Sequence, residues 1–369
     1  MSEWYEIEDI EAIDSPSLVL YEDNLMYNLH NMLAMVGGYT TMLMPHLKTN
    51  KMPKVIHRMI ALGIKNFKAS TIAEAEIAAR EGAYGVLVAH QLVGPKLNRF
   101  LALCHNFPNT SFSTLVDNIG SAKVLNDLAI DAQRVVDVYI DINSGMNRSG
   151  ISLGPGLETL LETISNCKGL QLSGLHVYDG HLRDSDFQNR KHQIEEEFEP
   201  INNLFERLKP TQPDIKLICG GTPSFTSHKH QKNRITSPGT CVLWDWGYGE
   251  QLKEQDFKPA ALLVCRVISK PTKDIITIDL GHKAVGSENS IDKRVKFLNL
   301  EHYELISQSE EHGVLSVSTW DTIAVGDVYY GVPYHICPTV NLYDKVSLIQ
   351  NKKKIDTWEI TARQRKVTI

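Results

Sequence analysis

Between residues 17 and 219 short apolar runs alternate with amphipathic ones. The runs 17–21, 41–44, 66–69, 86–89, 111–116, 135–142, 170–178 and 215–219 read as strands. They are rich in β-branched, aromatic or other apolar residues, and several are bounded by Gly, Asn, Asp or Pro. Helical patterns lie between them. Thr71 is placed to cap a helix over 72–81, with Glu74 three residues on and Gly82 as the stop. Pro95 opens 96–105 in the first-turn position that proline tolerates, and 184–208 is a longer, heavily charged helical stretch.

Eight strands alternating with helices predict an α/β fold, a (β/α)8 barrel over residues 13–234. A doubly wound open sheet is the alternative. The barrel is favoured because no Gly-x-Gly-x-x-Gly follows the first strand. Beyond Arg234 helical periodicity nearly vanishes, and strands are expected at 260–268, 275–279, 313–318, 327–332 and 357–361. This predicts a C-terminal all-β domain over 235–369, which residues 1–12 can join. Lys352-Lys353-Lys354 reads as a hairpin turn.

The chain has 369 residues, enough for two domains, and its 42% hydrophobic and 22% charged content is that of an ordinary globular protein. A net charge of −6 advertises neither a nucleic-acid partner nor an anionic membrane. No apolar stretch reaches the roughly 18–20 residues of a membrane helix. The acidic start Met1-Ser2-Glu3-Trp4-Tyr5-Glu6 lacks a signal pattern, so a cytoplasmic location is expected. Six dispersed cysteines without a Cys-x-x-Cys pair argue for reduced thiols.

Candidate chemistry gathers at strand ends. Lys48 follows the run 41–44, where an amine can hold a carbonyl cofactor as a Schiff base; alone it reads as a solvated charge. Arg148 ends the loop Asn143-Ser144-Gly145-Met146-Asn147 and offers donors to an anionic oxygen, or is simply solvated. In His176-Val177-Tyr178-Asp179-Gly180-His181, His176 and His181 are candidate acids or bases or ordinary loop residues. Gly220-Gly221-Thr222-Pro223-Ser224 and Ser237-Pro238-Gly239-Thr240 expose backbone N–H groups that can cradle a phosphate; each alone is a turn.

In His335-Ile336-Cys337, continued extension would turn imidazole and thiolate to one face, a pair suited to zinc. The alternative is a buried histidine and a core cysteine. The turns around His282-Lys283 and Glu311-His312 carry no assignable role and read as structural.

Taken in this order, these residues resemble the D-threonine aldolase/D-serine dehydratase family of pyridoxal-phosphate enzymes, which share the alanine racemase-like fold (fold type III). The resemblance runs from Ile13 to the C-terminus. It implies a barrel plus a β domain, assembled as a homodimer. Lys48 would carry pyridoxal 5′-phosphate, with Arg148 near the ring hydroxyl and His176 and Tyr178 beside the cofactor. Gly221, Thr222, Gly239 and Thr240 would hold its phosphate. His335 and Cys337 would bind a divalent metal next to it, zinc foremost, manganese or magnesium otherwise. Alanine racemase itself carries Lys-Ala-Asn-Ala-Tyr-Gly where this chain has Lys48-Thr49-Asn50-Lys51-Met52-Pro53, and its metal-free chemistry leaves His335-x-Cys337 unexplained.

The implied substrate is a D-3-hydroxy amino acid. In a dehydratase Lys48 removes the Cα proton, the hydroxyl leaves, and a keto acid and ammonia result. In an aldolase a base such as His181 deprotonates the hydroxyl, giving glycine and an aldehyde. His-x-Cys resembles the dehydratases and His-x-Asp the aldolases, so Cys337 favours dehydration. A metal-free racemase and a non-catalytic pyridoxal-phosphate-binding protein remain as further alternatives.

Overall fold

The computed structural model describes residues 3–231 and 233–369. Two compact units interleave along the chain. One comprises Leu33–Lys48, Val55–Gly239 and Gln364–Ile369; the other comprises residues up to Met32, Thr49–Lys54 and Thr240–Arg363.

The strand Ser17–Tyr21 (β1) forms where alternation predicts it, but a barrel running from Ile13 would include it and the structure does not. It lies antiparallel to Ala261–Thr272 (β9) and parallel to Lys345–Gln350 (β15). Its apolar side chains join the core of the β unit instead, where Val19 and Tyr21 pack with Leu262, Val264 and Ile349. Local pattern specifies a strand; the partner is set by residues more than 240 positions away.

Among the described residues the barrel unit holds seven parallel strands in chain order: Asn66–Ala69 (β2), Gly85–Gln91 (β3), Ser111–Val116 (β4), Val136–Ile142 (β5), Leu170–Val177 (β6), Lys216–Cys219 (β7) and Arg234–Thr236 (β8). The eighth stave is irregular. Leu43 bridges Thr236 of β8 and His46 bridges Lys68 of β2, both in parallel sense. This segment closes the sheet into the expected barrel. The strand predicted at 41–44 is thus replaced by a 3-10 turn, Thr40–Met42, and isolated bridges. Pro45 has no N–H to give a ladder, so regular pairing cannot continue through it. Arg234, expected to be the last barrel residue, instead opens the strand Arg234–Thr236, which carries the barrel sheet past that point.

The barrel is filled by Met44, Leu87, Leu115, Tyr139 and Ile218, from the bridging segment, β3, β4, β5 and β7. Between strands, Thr71 caps the helix Ile72–Arg80 by accepting from the Glu74 N–H, and Pro95 opens Pro95–Asn106.

The other unit adds Ile275–Ile278 (β10), Val295–Phe297 (β11), Tyr303–Gln308 (β12), Gly313–Val317 (β13), Val328–Pro333 (β14) and Lys353–Glu359 (β16). β1 lies between β9 and β15, and β15 pairs with β16 as an antiparallel hairpin. Its turn is Asn351-Lys352, with φ of 49° and 63°; Lys353 and Lys354 already belong to β16. Tyr5 and Ile7 pack into this unit's core against Tyr330 and Val332, and Glu8 donates to Lys352 O at 2.9 Å. None of the six cysteines is in a disulfide. Among the described residues no helix is long and apolar enough to cross a membrane.

Candidate active site

Lys48 is set by the barrel closure. The preceding Leu47 N–H donates to Lys68 O at 2.8 Å, and Lys68 N–H donates back to Pro45 O at 3.0 Å. The Lys48 ammonium lies 5.5 Å from the ring centroid of Tyr178, the first residue after β6. Arg148 lies 4.6 Å from the same ring, and Lys68 lies 5.8 Å from it. Each cation–π contact is worth about 0.5–2 kcal/mol. Three cations around one ring also repel one another, so the arrangement suits an anionic occupant. Arg148 reaches it from a tight loop: a side chain at Gly150 (φ +95°) would come within 2.6 Å of Asn143 N.

Lys68 was not foreseen. It sits in the short strand Asn66-Phe67-Lys68-Ala69, and the signal was there: a lysine between two apolar residues inside a barrel strand. It is only 2% exposed. Its Nζ lies 3.4 Å from His176 Nε2, while His176 Nδ1 lies 2.7 Å from Asp141 Oδ1. The ionised Asp141 carboxylate can only accept, so Nδ1–H donates to it and Nε2 is left to accept from Lys68. His176 is therefore neutral, in keeping with burial and the Lys68 charge, which push it below the usual histidine range. Burial opposes the Asp141 charge, but hydrogen bonds from His176, Ser149 and Gln91 hold it below the usual carboxylate range. Burial, then the Lys48 charge, brings Lys68 down to about 7.

A depressed lysine costs stability wherever the unfolded chain is protonated and the folded site resists the proton. The cost is full below about pH 7 and disappears as pH rises through the unfolded value of about 10.4. Lys68→Met should therefore stabilise the ligand-free protein by about 2 kcal/mol at pH 7, the gain fading toward pH 10. Urea denaturation at the two pH values measures this.

The two predicted phosphate turns meet at the carboxyl ends of β7 and β8. Gly239 N–H donates to Thr222 Oγ1 at 3.1 Å, and Gly221 N–H donates to Ser224 Oγ at 3.2 Å. A Cβ on Gly221 would lie 3.1 Å from the Tyr178 ring, so glycine lets the backbone approach the tyrosine. Ser237 Oγ is buried without a hydrogen-bond partner among the described residues. An orphaned hydroxyl beside glycine backbone fits an oxyanion such as phosphate. Thr240 belongs to the other unit, where its hydroxyl lies 3.5 Å from Cys337 Sγ.

Asp179 does not join the proton-exchanging groups around Tyr178. It is fully buried and bonded to Ser224 Oγ and to His228 Nε2, each at 2.7 Å. His181 Nε2 pairs with Glu197 Oε2 at 2.9 Å, and its buried Nδ1 has no partner among the described residues. It packs against the Arg148 loop, 3.1 Å from where a Cβ on Gly145 would stand.

In the β unit, β14 ends at Pro333 and the expected extension stops. His335 caps the short helix Ile336–Val340, which contains Cys337. The strand-to-helix turn, rather than a strand face, brings the pair together, and their side chains are hydrogen-bonded. His335 Nδ1 lies 2.5 Å from Glu288 Oε1. A carboxylate on Nδ1–H leaves Nε2 as the nitrogen that faces Cys337, the one a cation would take on displacing its proton, as in a metal-ligating imidazole held by a carboxylate. Cys337 Sγ lies 3.1 Å from Thr49 Oγ1. Buried Asp245 accepts from Ile336 N–H at 3.1 Å and anchors the turn; burial pushes its carboxyl up to about 6. Among the described residues no group of three or more His, Cys, Asp or Glu side chains is placed to hold a metal. Imidazole plus thiol thus fits an ion with open positions and not a closed structural site. Glu288, far away in sequence, had no signal to reveal it.

The remaining polar turns are structural. Lys283 and Glu311 form an exposed ion pair at 3.5 Å, and His282 N–H donates to Ser309 O. A cavity of about 470 Å³ lined by Gln171, Ser173 and Lys216 opens at the amino-terminal ends of the barrel strands, opposite the end where barrels carry chemistry.

The family model described as the alanine racemase N-terminal domain matches residues 21–244, and that described as a putative serine dehydratase domain matches 260–349. A D-threonine aldolase from Arthrobacter sp is 25% identical over 363 residues, covering 96% of this chain and 94% of that one. The crystal structure of D-threonine aldolase from Filomicrobium marinum superimposes with a TM-score of 0.87 at 25% identity, covering 97% of this chain and 98% of that one. D-threo-3-hydroxyaspartate dehydratase from Delftia sp. HT23 shares the fold, with a TM-score of 0.79 at 20% identity over 94% of this chain and 97% of that one.

Proposed function

The chain belongs to the alanine racemase N-terminal-domain family, among the D-threonine aldolase/D-serine dehydratase-like proteins, and on that premise we propose that it is a pyridoxal-phosphate- and divalent-metal-dependent lyase of D-3-hydroxy amino acids, a D-serine dehydratase in reaction type. The observation that carries the cofactor is the set of three cations, Lys48, Lys68 and Arg148, around the Tyr178 ring. When bound, pyridoxal phosphate withdraws electrons from the Cα of an amino acid. Lys48 is the amine that holds it and then takes the Cα proton. Arg148 orients the ring's oxygen. The Gly221, Thr222 and Gly239 turns, with Ser237, receive the phosphate, and Thr240 is assigned to the same task.

His335 Nε2 and the Cys337 thiolate would hold a divalent ion, zinc by their donor chemistry, which supplies Lewis acidity toward a hydroxyl. Glu288 fixes the imidazole for that role. Elimination follows from a proton leaving Cα to Lys48 and a hydroxyl leaving Cβ as water; the released enamine is then hydrolysed by water to a keto acid and ammonia. The same family footing extends the reading to a homodimer.

One observation favours a second reading, D-threonine aldolase-type cleavage: the unpartnered, buried Nδ1 of His181, polarised through Nε2 by Glu197. The products decide. The cofactor-loaded protein is given D-serine and D-threonine with and without a chelator. Pyruvate and 2-oxobutyrate, lost on chelation, are expected. Glycine plus acetaldehyde would transfer the reading to the aldolase. Conversion to the other enantiomer without cleavage would overturn both.

Cys337→Ala should lower this activity by about 10²-fold and abolish its sensitivity to chelator, while the visible absorbance of the lysine-bound cofactor persists. Retention of chelator-sensitive activity would remove Cys337 from the metal.

A further inference from the structure

We propose that Lys68 is an additional ligand-binding residue, its ammonium giving a hydrogen bond to an anionic oxygen of pyridoxal phosphate held at Lys48. The inference rests on the cofactor reading above.

Lys68 stands on β2, one bridge away from the segment that carries Lys48. Its side chain is buried, 5.8 Å from the Tyr178 ring that Lys48 and Arg148 also face. A buried ammonium demands an opposite charge or a full set of hydrogen bonds. Lys68 has three N–H donors, and its described hydrogen bond is to neutral His176. The nearest carboxylates are committed elsewhere, Asp141 to His176 and Asp179 to His228. His176 cannot exchange roles, because Asp141 fixes its tautomer. It therefore aims the amine and does not neutralise it. What is lacking is an anion, and the neighbouring glycine turns already fit one.

The groups that act on Lys68 are Lys48 and His46 from the closing segment, His176 and Asp179 from β6 and its following loop, Asp141 from β5 and Cys219 from β7. In the ligand-free protein the amine is half-protonated near pH 7. An anion favours the charged form, so binding above pH 7 draws in a proton, and affinity falls as pH rises.

The probe is pyridoxine 5′-phosphate, which carries the same anionic groups but has no carbonyl to bond to Lys48. Its dissociation constant is measured between pH 6.5 and 9 for the wild type, Lys68→Met and Lys68→Arg. The wild type should bind about tenfold more tightly than Lys68→Met at pH 6.5, the ratio shrinking toward one by pH 9. Lys68→Arg, always charged, should keep its advantage across the range. A ratio of one at every pH, with both proteins folded, overturns the proposal. Should Lys68→Met fail to fold, calorimetry of the wild type in two buffers decides: proton uptake greater at pH 8 than at pH 6 supports it, and no uptake overturns it. The cofactor reading is checked separately by incubating the wild type with pyridoxal phosphate. A bond at Lys48 with unaltered probe binding in Lys68→Met defeats this inference alone; no bond at Lys48 defeats the reading beneath it.

Discussion

Lys48→Ala should lower kcat/KM of the cofactor-loaded protein on D-serine by at least about 10⁴-fold, because one side chain performs two tasks. The amine both carries the cofactor and receives the Cα proton. Its loss removes the covalent attachment and the base together, so the visible absorbance of the lysine-bound pyridoxal should vanish with the activity. Stability should change little. Lys48 is half-buried, and the bonds that set this segment come from the Leu47 and Lys68 backbones, which alanine leaves intact. An unchanged melting temperature with lost turnover separates chemistry from folding. Full activity in the variant would contradict the role.

Asp179→Ala should have the opposite profile and destabilise the protein by about 3–5 kcal/mol. Asp179, His228 and Arg234 form a buried chain: Asp179 Oδ2 to His228 Nε2 at 2.7 Å, then His228 Nδ1 to Arg234 Nη1 at 2.6 Å. Burial resists a charge on His228, while Cys219 and Asp179 draw it upward. The Arg234 contact settles the matter, because a guanidinium only donates and Nδ1 must accept. His228 is neutral, and Arg234 is the counter-charge of Asp179 through it. Removing the carboxylate strands Arg234, whose guanidinium stacks 4.6 Å from the Phe198 ring. It also frees Ser224, which accepts from the Gly221 N–H of the proposed phosphate turn.

Asp179 is held below the usual carboxylate range despite its burial, by His228 and Ser224. The stability it contributes is therefore present above the unfolded value of about 3.9 and is lost as pH falls through the lower folded value. The gap between wild type and variant in urea denaturation should be widest near neutrality and close in acid.

These two sites differ in how far the chain alone exposes them. Lys48, Arg148 and Tyr178 lie in ordered motifs at strand ends, so their company was legible before any fold. Asp179 sits inside the same motif as Tyr178, yet its role depends on His228 and Arg234, which no spacing links to it. Lys68 lay in plain view within a strand, but the polar–apolar alternation of Asn66-Phe67-Lys68-Ala69 made it read as a solvent-facing position. Strand Ser17–Tyr21 was recognisable from its own residues, whereas its partners at 261–264 and 347–349 were not. The spacing His335-x-Cys337 allowed convergence both on a strand and at a helix start. Pro338, tolerated in a first helical turn, leaves room for the second, which the chain adopts.

The most direct test is to load the protein with pyridoxal phosphate, reduce it with borohydride, digest it and locate the pyridoxyl group by mass spectrometry. The label is expected on Lys48. Label on Lys68 or any other lysine instead, or no label at all, would contradict the assignment on which the rest depends.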